Sequence, residues 1–226
     1  MRMRFFDGLL SLVYPAKCLN CSKVLPHGEP LFVCGDCYGS FMIVNESERA
    51  AEGFAFLNRY SFFEYNEAVR AIIHDIKFGS KAHKMVGLSG FALKVAADKW
   101  AVEKDVDAII AVPLHTNRLK ERGFNQALVM AKVLSKSSGV PVVNDVCERI
   151  IDNPPQARVG REGRRKNSRG IFSLKNGANV QGLSFLICDD VFTSGETLNS
   201  LAMTLVDGGA KSVSCVTLAV SHGKNN

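Results

Sequence analysis

A largely apolar run at residues 183–188 ends in two adjacent carboxylates, Asp189 and Asp190, and this junction constrains the fold more than any other feature of the sequence. Such a run is typical of a strand buried on both faces of a parallel sheet. A turn rich in hydroxyl groups follows, and residues 195–207 have the pattern of a helix that ends at a pair of glycines. The sequence therefore predicts a strand, a tight turn and a helix, with polar groups gathered where the strand ends.

Strands and helices alternate along the chain after residue 50. The pattern predicts one or two strands at 54–65, further strands at 107–112, 140–146 and 212–220, and helices at 66–77, 81–100 and 122–137. Alternation of this kind predicts an α/β fold with a mostly parallel sheet and helices on both faces. Two domains are predicted, a small cysteine-rich N-terminal module at 1–50 and the α/β domain at 51–226.

Two other segments have distinct patterns. Residues 1–14 predict a short amphipathic helix, and residues 153–169, which are basic and interrupted by proline and glycine, predict a mobile loop. No stretch of about 18 apolar residues occurs, so no transmembrane helix is expected.

The overall charge suits an anionic partner. The 226-residue chain carries a formal net charge of +6, and its isoelectric point is about 9.0. Phosphates, nucleic acid and a membrane surface all fit this charge, as does a mildly basic soluble protein with none of these partners. Hydrophobic residues make up 46% and charged residues 22% of the chain, so an ordered globular protein is expected.

Four of the seven cysteines form two Cys-x2-Cys pairs, Cys18 with Cys21 and Cys34 with Cys37, with twelve residues between the pairs. Two such pairs can bring four thiolates into a tetrahedral cage, which predicts a closed, structural Zn²⁺ site with His27 as a spare ligand. Two redox pairs or an iron–sulfur site are the alternatives, but a redox pair is expected beside a βαβ unit, which this segment lacks. The odd number of cysteines argues against a secreted disulfide framework and predicts a cytoplasmic protein.

The turn after the two acids offers groups that suit a phosphate monoester. The helix that follows would direct unpaired N–H groups and its positive dipole end at the turn. Thr193, Ser194 and Thr197 add hydroxyl donors, and Gly195 allows close backbone approach. The neighbouring carboxylates would repel a phosphate unless they face sugar hydroxyls or a hydrated Mg²⁺. The alternative is a turn without a ligand, in which Asp and Thr cap the helix.

These residues resemble the PRPP-binding motif of type I phosphoribosyltransferases, in which apolar residues precede two acids and a threonine-rich turn with glycine. The resemblance implies that Asp189 and Asp190 hold the ribose hydroxyls of PRPP, which binds with Mg²⁺, and that residues 193–197 bind the 5′-phosphate. The implied site comprises Asp189, Asp190, Val191, Thr193, Ser194, Gly195, Glu196 and Thr197. The position of Glu196 varies among such enzymes, and a carboxylate there must point away from the phosphate or weaken binding.

Three further blocks, at 65–79, 111–127 and 154–172, resemble those of the ComF family, which includes proteins called GntX. The blocks occur in family order with the cysteine module and the PRPP motif, so the resemblance covers nearly the whole chain. It implies a role in DNA uptake during natural competence. Lys77 lies on a predicted helix, where a packed or solvent-facing role is expected rather than catalysis. Basic residues of the later blocks are candidate contacts for pyrophosphate or DNA, with solvated surface charges as the alternative: Arg118, Arg122, Arg161, Arg164 and Arg165.

Several functions remain open at this point. One is a Mg²⁺-dependent phosphoribosyltransferase, in which pyrophosphate leaves the ribose and an unidentified nucleophile takes its place; no residue stands out as a general base. Another is a catalytically inactive module that binds single-stranded DNA through its basic residues and zinc module. A third is an adaptor whose zinc module docks a competence helicase or a membrane-channel partner.

Overall fold

The computed structural model describes residues 15–26, 32–44, 48–50, 52–79, 81–96, 105–152 and 170–221. The helix predicted at 1–14, the spare ligand His27, and the basic loop predicted at 153–169 with Arg161, Arg164 and Arg165 all lie outside the described residues. Within the described part of the chain, no helix is long and apolar enough to cross a membrane.

A five-stranded sheet forms the centre of the fold. The strands of the described residues are β1 (Glu48–Arg49), β2 (Asn58–Glu64), β3 (Ala108–Ala111), β4 (Cys147–Arg149), β5 (Phe172–Leu174), β6 (Ser184–Phe192) and β7 (Ser212–Val220). The order across the central sheet is β1-β2-β7-β6-β3. Strands β2, β7, β6 and β3 are parallel, and β1 is antiparallel at the edge. Strands β4 and β5 form a separate antiparallel pair. The predicted mostly parallel sheet is confirmed.

Helices cover both faces of this sheet, as predicted. The helices of the described residues are α1 (Gly35–Tyr38), α2 (Glu67–Phe78), α3 (Ala82–Val95), α4 (Thr116–Arg122), α5 (Gln126–Ser138) and α6 (Glu196–Asp207). Helices α2, α3 and α5 pack on one face, while α6 and the β4–β5 pair pack on the other. The predicted apolar face of α2 is buried in full: Val69, Ile72, Ile73 and Ile76.

Three predicted boundaries differ from the structure for local reasons. Residues 140–146 form only one isolated bridge, from Val142 to Ile109, because Pro141 has no N–H to donate to a strand ladder. The helix predicted at 122–137 begins only at Gln126, because Arg122 ends a separate short helix, α4, at which Gly123 adopts a left-handed φ of 75°. Strand β6 continues past residue 188, through both acids, to Phe192.

The cysteine-rich segment shares a core with the α/β body. Phe41 of this segment contacts Phe63 of β2 and Phe91 of α3, with ring centroids 5.7 and 5.1 Å away. Phe63 and Phe91 stack on each other at 5.6 Å. Helix α3 presents a glycine where the segment approaches most closely, because a Cβ at Gly90 would lie 2.9 Å from the ring of Phe32.

Hydrogen bonds join the same segment to the start of α2. The Glu64 backbone N–H donates to the Met42 carbonyl at 2.8 Å. The Asn66 side chain, which caps α2, donates to the Ser40 carbonyl at 2.7 Å. The cysteine-rich segment and the α/β body thus share a core and these hydrogen bonds. The division of the chain into two domains at residue 50 stays a prediction.

The shared aromatic core predicts a large difference between two phenylalanine truncations. Phe91→Ala should lower the free energy of unfolding by about 3–5 kcal/mol, because it empties a fully buried site between the cysteine segment and the sheet. Phe78→Ala removes a side chain that is 72% exposed, and should change the value by less than about 0.5 kcal/mol. Urea denaturation measures both, and equal costs would contradict the shared core.

Candidate functional site

The turn between β6 and α6 requires glycine at position 195. Gly195 has a φ of 77° and occupies the N-cap position of α6. A Cβ there would lie 2.7 Å from the ring of Phe192 and 2.9 Å from that of Phe54, so conformation and close packing both exclude a side chain. In the part of the chain that the structure describes, no side chain caps this end of α6, contrary to the capped-turn alternative. The first N–H groups of the helix therefore face the turn without a side-chain acceptor.

The eight residues of the predicted PRPP motif lie together at this strand end, turn and first helical turn. Thr193, Ser194 and Glu196 are exposed, whereas Thr197 is half-buried. Val191 is partly buried against the core, so its side chain serves packing. The exposed hydroxyl groups and the helix N-terminus thus share one surface at the carboxyl edge of the sheet.

The segment that follows β3 begins beside the end of β6. The Val112 N–H, just after β3, donates to the Cys188 carbonyl of β6 at 2.9 Å. Asn125 donates to the Val112 carbonyl at 3.0 Å and accepts from the Ala127 N–H at the start of α5 at 2.9 Å. Because β3 and β6 are parallel neighbours, helix α4, which carries Arg118, follows β3 at the same edge as the PRPP motif.

The two acids at the end of β6 point to opposite faces of the sheet, as expected for adjacent strand residues. Asp190 is 5% exposed and faces α2 and α5. Its Oδ2 lies 2.7 Å from Lys77 Nζ and 3.4 Å from Gln126 Nε2, which donates to it. A carboxylate and an ammonium this close form a charge-assisted hydrogen bond, which offsets part of the cost of burying both groups.

Asp189 has a different environment. Burial raises its pKa to about 7, and the charge of Asp190 acts in the same direction. The Asp190 N–H donates to Asp189 Oδ1 at 2.8 Å, and this bond and the charges of Lys77 and Arg149 oppose the rise. The two acids therefore differ: Asp190 has a lysine in contact, and Asp189 has a raised pKa.

Arg149 lies near Asp189, and two further arginines lie near Arg149. Arg149 ends β4, and its Nε donates to the Ile151 carbonyl at 3.0 Å. Burial lowers the pKa of Arg149; the charges of Arg118 and Arg122 lower it further, and that of Asp189 opposes them. Arg118 and Arg122 are four residues apart on α4, so they share a face of that helix. Their convergence with Arg149 gives a cationic surface beside the acids.

A polar cluster holds the turn after β3. The carboxylate of Asp152 accepts from Asn117 Nδ2 at 2.9 Å and lies 3.4 Å from His115 Nδ1. Arg118 Nε is 3.8 Å from Asp152 and its Nη1 is 3.2 Å from Glu121. These contacts fix Arg118 at the edge of the site in an ion-pair network.

Sequence reasoning missed three of these groups. Lys77 is neither simply packed nor solvent-facing, because it reaches Asp190. Gln126 is 4% exposed. The sequence marks it only as a polar residue in the first turn of a helix, directly after the asparagine that caps that helix. Arg149 gave no signal, since only the pairing of β4 with β5 brings it near Asp189.

The four predicted metal ligands come together. Their sulfur atoms all lie within 4.8 Å of one another, and Cys21 Sγ is 3.7 Å from Cys34 Sγ. Burial raises the pKa of Cys18, but hydrogen bonds from the backbone N–H groups of Cys21, Cys34 and Asn20 outweigh it, so the pKa falls to about 6. Four sulfur ligands with N–H donors around them could hold a metal ion.

The raised pKa of Asp189 predicts a stability difference that depends on pH. The folded chain binds this proton up to pH about 7, well above the usual value of 3.8, so the contribution of Asp189 to stability falls as pH rises through that window. Asp189→Asn removes this loss. Its free energy of unfolding relative to the natural chain should therefore rise by a few kcal/mol between about pH 4 and 7.

Denaturation at a series of pH values, without Mg²⁺, measures this difference. Asp75 does not interfere, because ion pairs with Lys84 and Lys81 lower its pKa to about 2, which places its effect below the window. A difference between the two chains that does not change with pH would contradict the raised pKa.

Known proteins match this chain in sequence over most of its length. The model of the phosphoribosyl transferase domain matches residues 109–226, just over half of the chain. Competence protein ComFC of Bacillus subtilis (strain 168) is 28% identical over 214 residues, which cover 89% of this chain and 82% of that protein. DNA utilization protein YhgH of Salmonella typhi is 26% identical over 198 residues, 87% of this chain and 80% of that protein.

One solved structure resembles this chain only weakly. The glutamine PRPP amidotransferase from B. subtilis complexed with ADP and GMP is 19% identical, with a TM-score of 0.38 over 61% of this chain and 26% of that one. This chain thus spans about a quarter of that enzyme, and the score is too low to carry an argument. The family model and the relatives agree with the resemblance found in the sequence: the chain belongs to the phosphoribosyl transferase domain family and is a ComF-type member of it, with a four-cysteine cluster ahead of the domain.

Proposed function

We propose that the chain binds PRPP, as its Mg²⁺ complex, at the carboxyl edge of the sheet and acts in DNA uptake during natural competence. The observation that carries the ligand is the uncapped N-terminus of α6, which faces a glycine turn beside two acids. The names of the relatives, a competence protein and a DNA utilization protein, support the process.

Each part of PRPP has a matching group in this proposal. The α6 N–H groups and the hydroxyls of Thr193 and Ser194 would donate to the 5′-phosphate. Asp189 and Asp190 would accept from the ribose hydroxyls, and Arg118, with its neighbours on α4 and β4, would contact the pyrophosphate. Mg²⁺, when bound, would neutralise pyrophosphate charge.

This arrangement supports phosphoribosyl transfer, a reaction in which the bond from C1 to the pyrophosphate oxygen breaks and a nucleophile forms a new bond to C1. The protein would contribute position and charge. The arginines would stabilise the departing pyrophosphate, and the acids would hold the ribose ring in place while C1 becomes positive.

Isothermal titration with PRPP tests the site. We expect binding in the presence of Mg²⁺, and a loss of at least about tenfold in affinity in Asp190→Asn, since a hydroxyl acceptor with full charge is removed. Asp207→Asn is the matched control, because it neutralises an exposed carboxylate at the far end of α6 and should leave affinity unchanged. Absence of PRPP binding with and without Mg²⁺ would exclude the proposed ligand.

We also propose that the cysteine cluster holds one structural Zn²⁺. Zinc bound to four thiolates at about 2.3 Å separates the sulfurs by roughly 3.8 Å, close to the 3.7 Å between Cys21 and Cys34. A site with four protein ligands leaves no open position, so the ion would stabilise the fold and perform no chemistry.

Metal analysis of the purified chain tests the cluster. The natural chain should contain one zinc per molecule, and Cys34→Ser should lose it and unfold at lower temperature, because metal binding supplies folding free energy. Cys147→Ser is the control, since this buried thiol lies in β4, outside the cluster, and zinc content should be kept. Iron in place of zinc, or equal metal content in both variants, would contradict the proposal.

Single-stranded DNA binding is the second candidate function, with a competence helicase as the partner that an adaptor role would require. The cationic surface of Arg118, Arg122 and Arg149 favours it, together with the names of the relatives. Such binding is distinguished from PRPP binding by its steep fall with salt. Oligonucleotide binding of this kind, with no PRPP binding, would support this second function.

A further inference from the structure

Asp190, which is buried, already has a cation in contact with its side chain. Lys77 comes from the last turn of α2, and its Nζ lies 2.7 Å from Asp190 Oδ2, with the two side chains 25% and 7% exposed. This pair is more enclosed than the other lysine pairs described, such as Lys81 with Asp75 at 43% and 38% exposure.

We propose that Lys77 is a positioning residue of the phosphoribosyl site: its ammonium takes the place of a metal ion at Asp190, so that a ribose 5-phosphate group binds without Mg²⁺. This inference rests on the proposed function and adds a division of roles to it. Mg²⁺ is then needed only where the ligand carries a pyrophosphate at C1.

The first argument is charge. An ammonium 2.7 Å from a carboxylate oxygen already compensates its charge. A dication beside the same group would meet the repulsion of Lys77 and would gain little from a neutralised ligand. A neutral sugar hydroxyl meets no such repulsion, and it can donate to the carboxylate while the ammonium remains in place.

The second argument is the orientation of Gln126. Its Nε2 donates to Asp190 Oδ2 at 3.4 Å, and its Oε1 is buried with no hydrogen-bond partner among the described residues. An unpaired buried oxygen lowers stability. The orientation is explained if the amide acts, with Lys77, to fix the position of the Asp190 carboxyl group, because both groups direct donors to the same oxygen.

The third argument is the contrast with Asp189. Within the described residues, Lys77 lies 2.7 Å from Asp190, whereas it acts on Asp189 only through its charge, as Arg149 does. Arg118 and Arg122 in turn act on Arg149, and the pyrophosphate and its Mg²⁺ are proposed near these arginines. Of the two acids proposed to hold the ribose, Asp190 is thus the one that already has a cation in contact.

Titration with ribose 5-phosphate, with the zinc-loaded full chain in Mg²⁺-depleted buffer, tests this inference; chelators are left out because they would remove the structural metal. The natural chain should bind with an affinity that Mg²⁺ changes by less than about threefold. Lys77→Met should bind about tenfold or more weakly without Mg²⁺ and should regain affinity when Mg²⁺ is added, since the hydrated ion can then compensate Asp190. A residue that only supported the fold would not produce this metal dependence.

Two further variants complete the design. Lys81→Met removes an ammonium from the half-exposed pair with Asp75 and should bind as the natural chain does. The double change Lys77→Met with Asp190→Asn leaves no uncompensated charge, so it keeps the test available if Lys77→Met alone does not fold. In this double variant Mg²⁺ should restore nothing.

The outcomes separate this inference from the function on which it rests. Ribose 5-phosphate binding that requires Mg²⁺ in the natural chain, or equal Mg²⁺-free affinity in Lys77→Met, overturns the role of Lys77 while PRPP binding stands. Restoration by Mg²⁺ in the double variant also overturns it. Absence of binding for both ribose 5-phosphate and PRPP, with and without Mg²⁺, overturns both proposals.

Discussion

The hydrogen-bond ladder of β6 with β3 and β7 decides where the chemically active groups of this chain lie. Because β6 runs parallel between its two neighbours, its end, the turn after β3 and the N-terminus of α6 meet at one edge of the sheet. Ligands bind at this edge in open parallel sheets. The ladder also explains the apolar sequence before the acids, since a strand covered on both faces tolerates no polar side chain until it leaves the core.

The ladder has a second consequence, which is the inequality of the two acids. Adjacent residues of a strand face opposite sides. Asp190 therefore contacts Lys77 and Gln126 on one face, and on the other face the charge of Arg149 opposes the rise in the pKa of Asp189. Two adjacent carboxyl groups therefore become two different groups, one paired with a lysine and the other with a pKa raised to about 7. A pair of this kind can hold a neutral sugar and still adapt its charge to an anionic ligand.

The sequence predicted the parts of this fold that depend on local pattern. The apolar face of α2, the strand that ends in the two acids and the grouping of four cysteines are all encoded by neighbours a few residues apart, and the structure contains them. Groups that depend on long-range pairing were missed. Lys77 meets Asp190 only because α2 packs across the end of β6, and Arg149 approaches Asp189 only because β4 pairs with β5. The prediction of a strand at 140–146 was wrong, because it gave more weight to the apolar pattern than to Pro141, which has no N–H to donate.

Helix α2 connects the cysteine segment to the acids. Its N-cap residue, Asn66, donates to the Ser40 carbonyl of that segment, and its last turn carries Lys77 to Asp190. Between these ends its buried isoleucines share a core with Phe41 and Phe91. A helix held at its start, along its side and at its end has one position on the sheet. The cysteine cluster therefore contributes to the site without contact with a ligand, since it fixes the segment against which the helix that supplies Lys77 is packed.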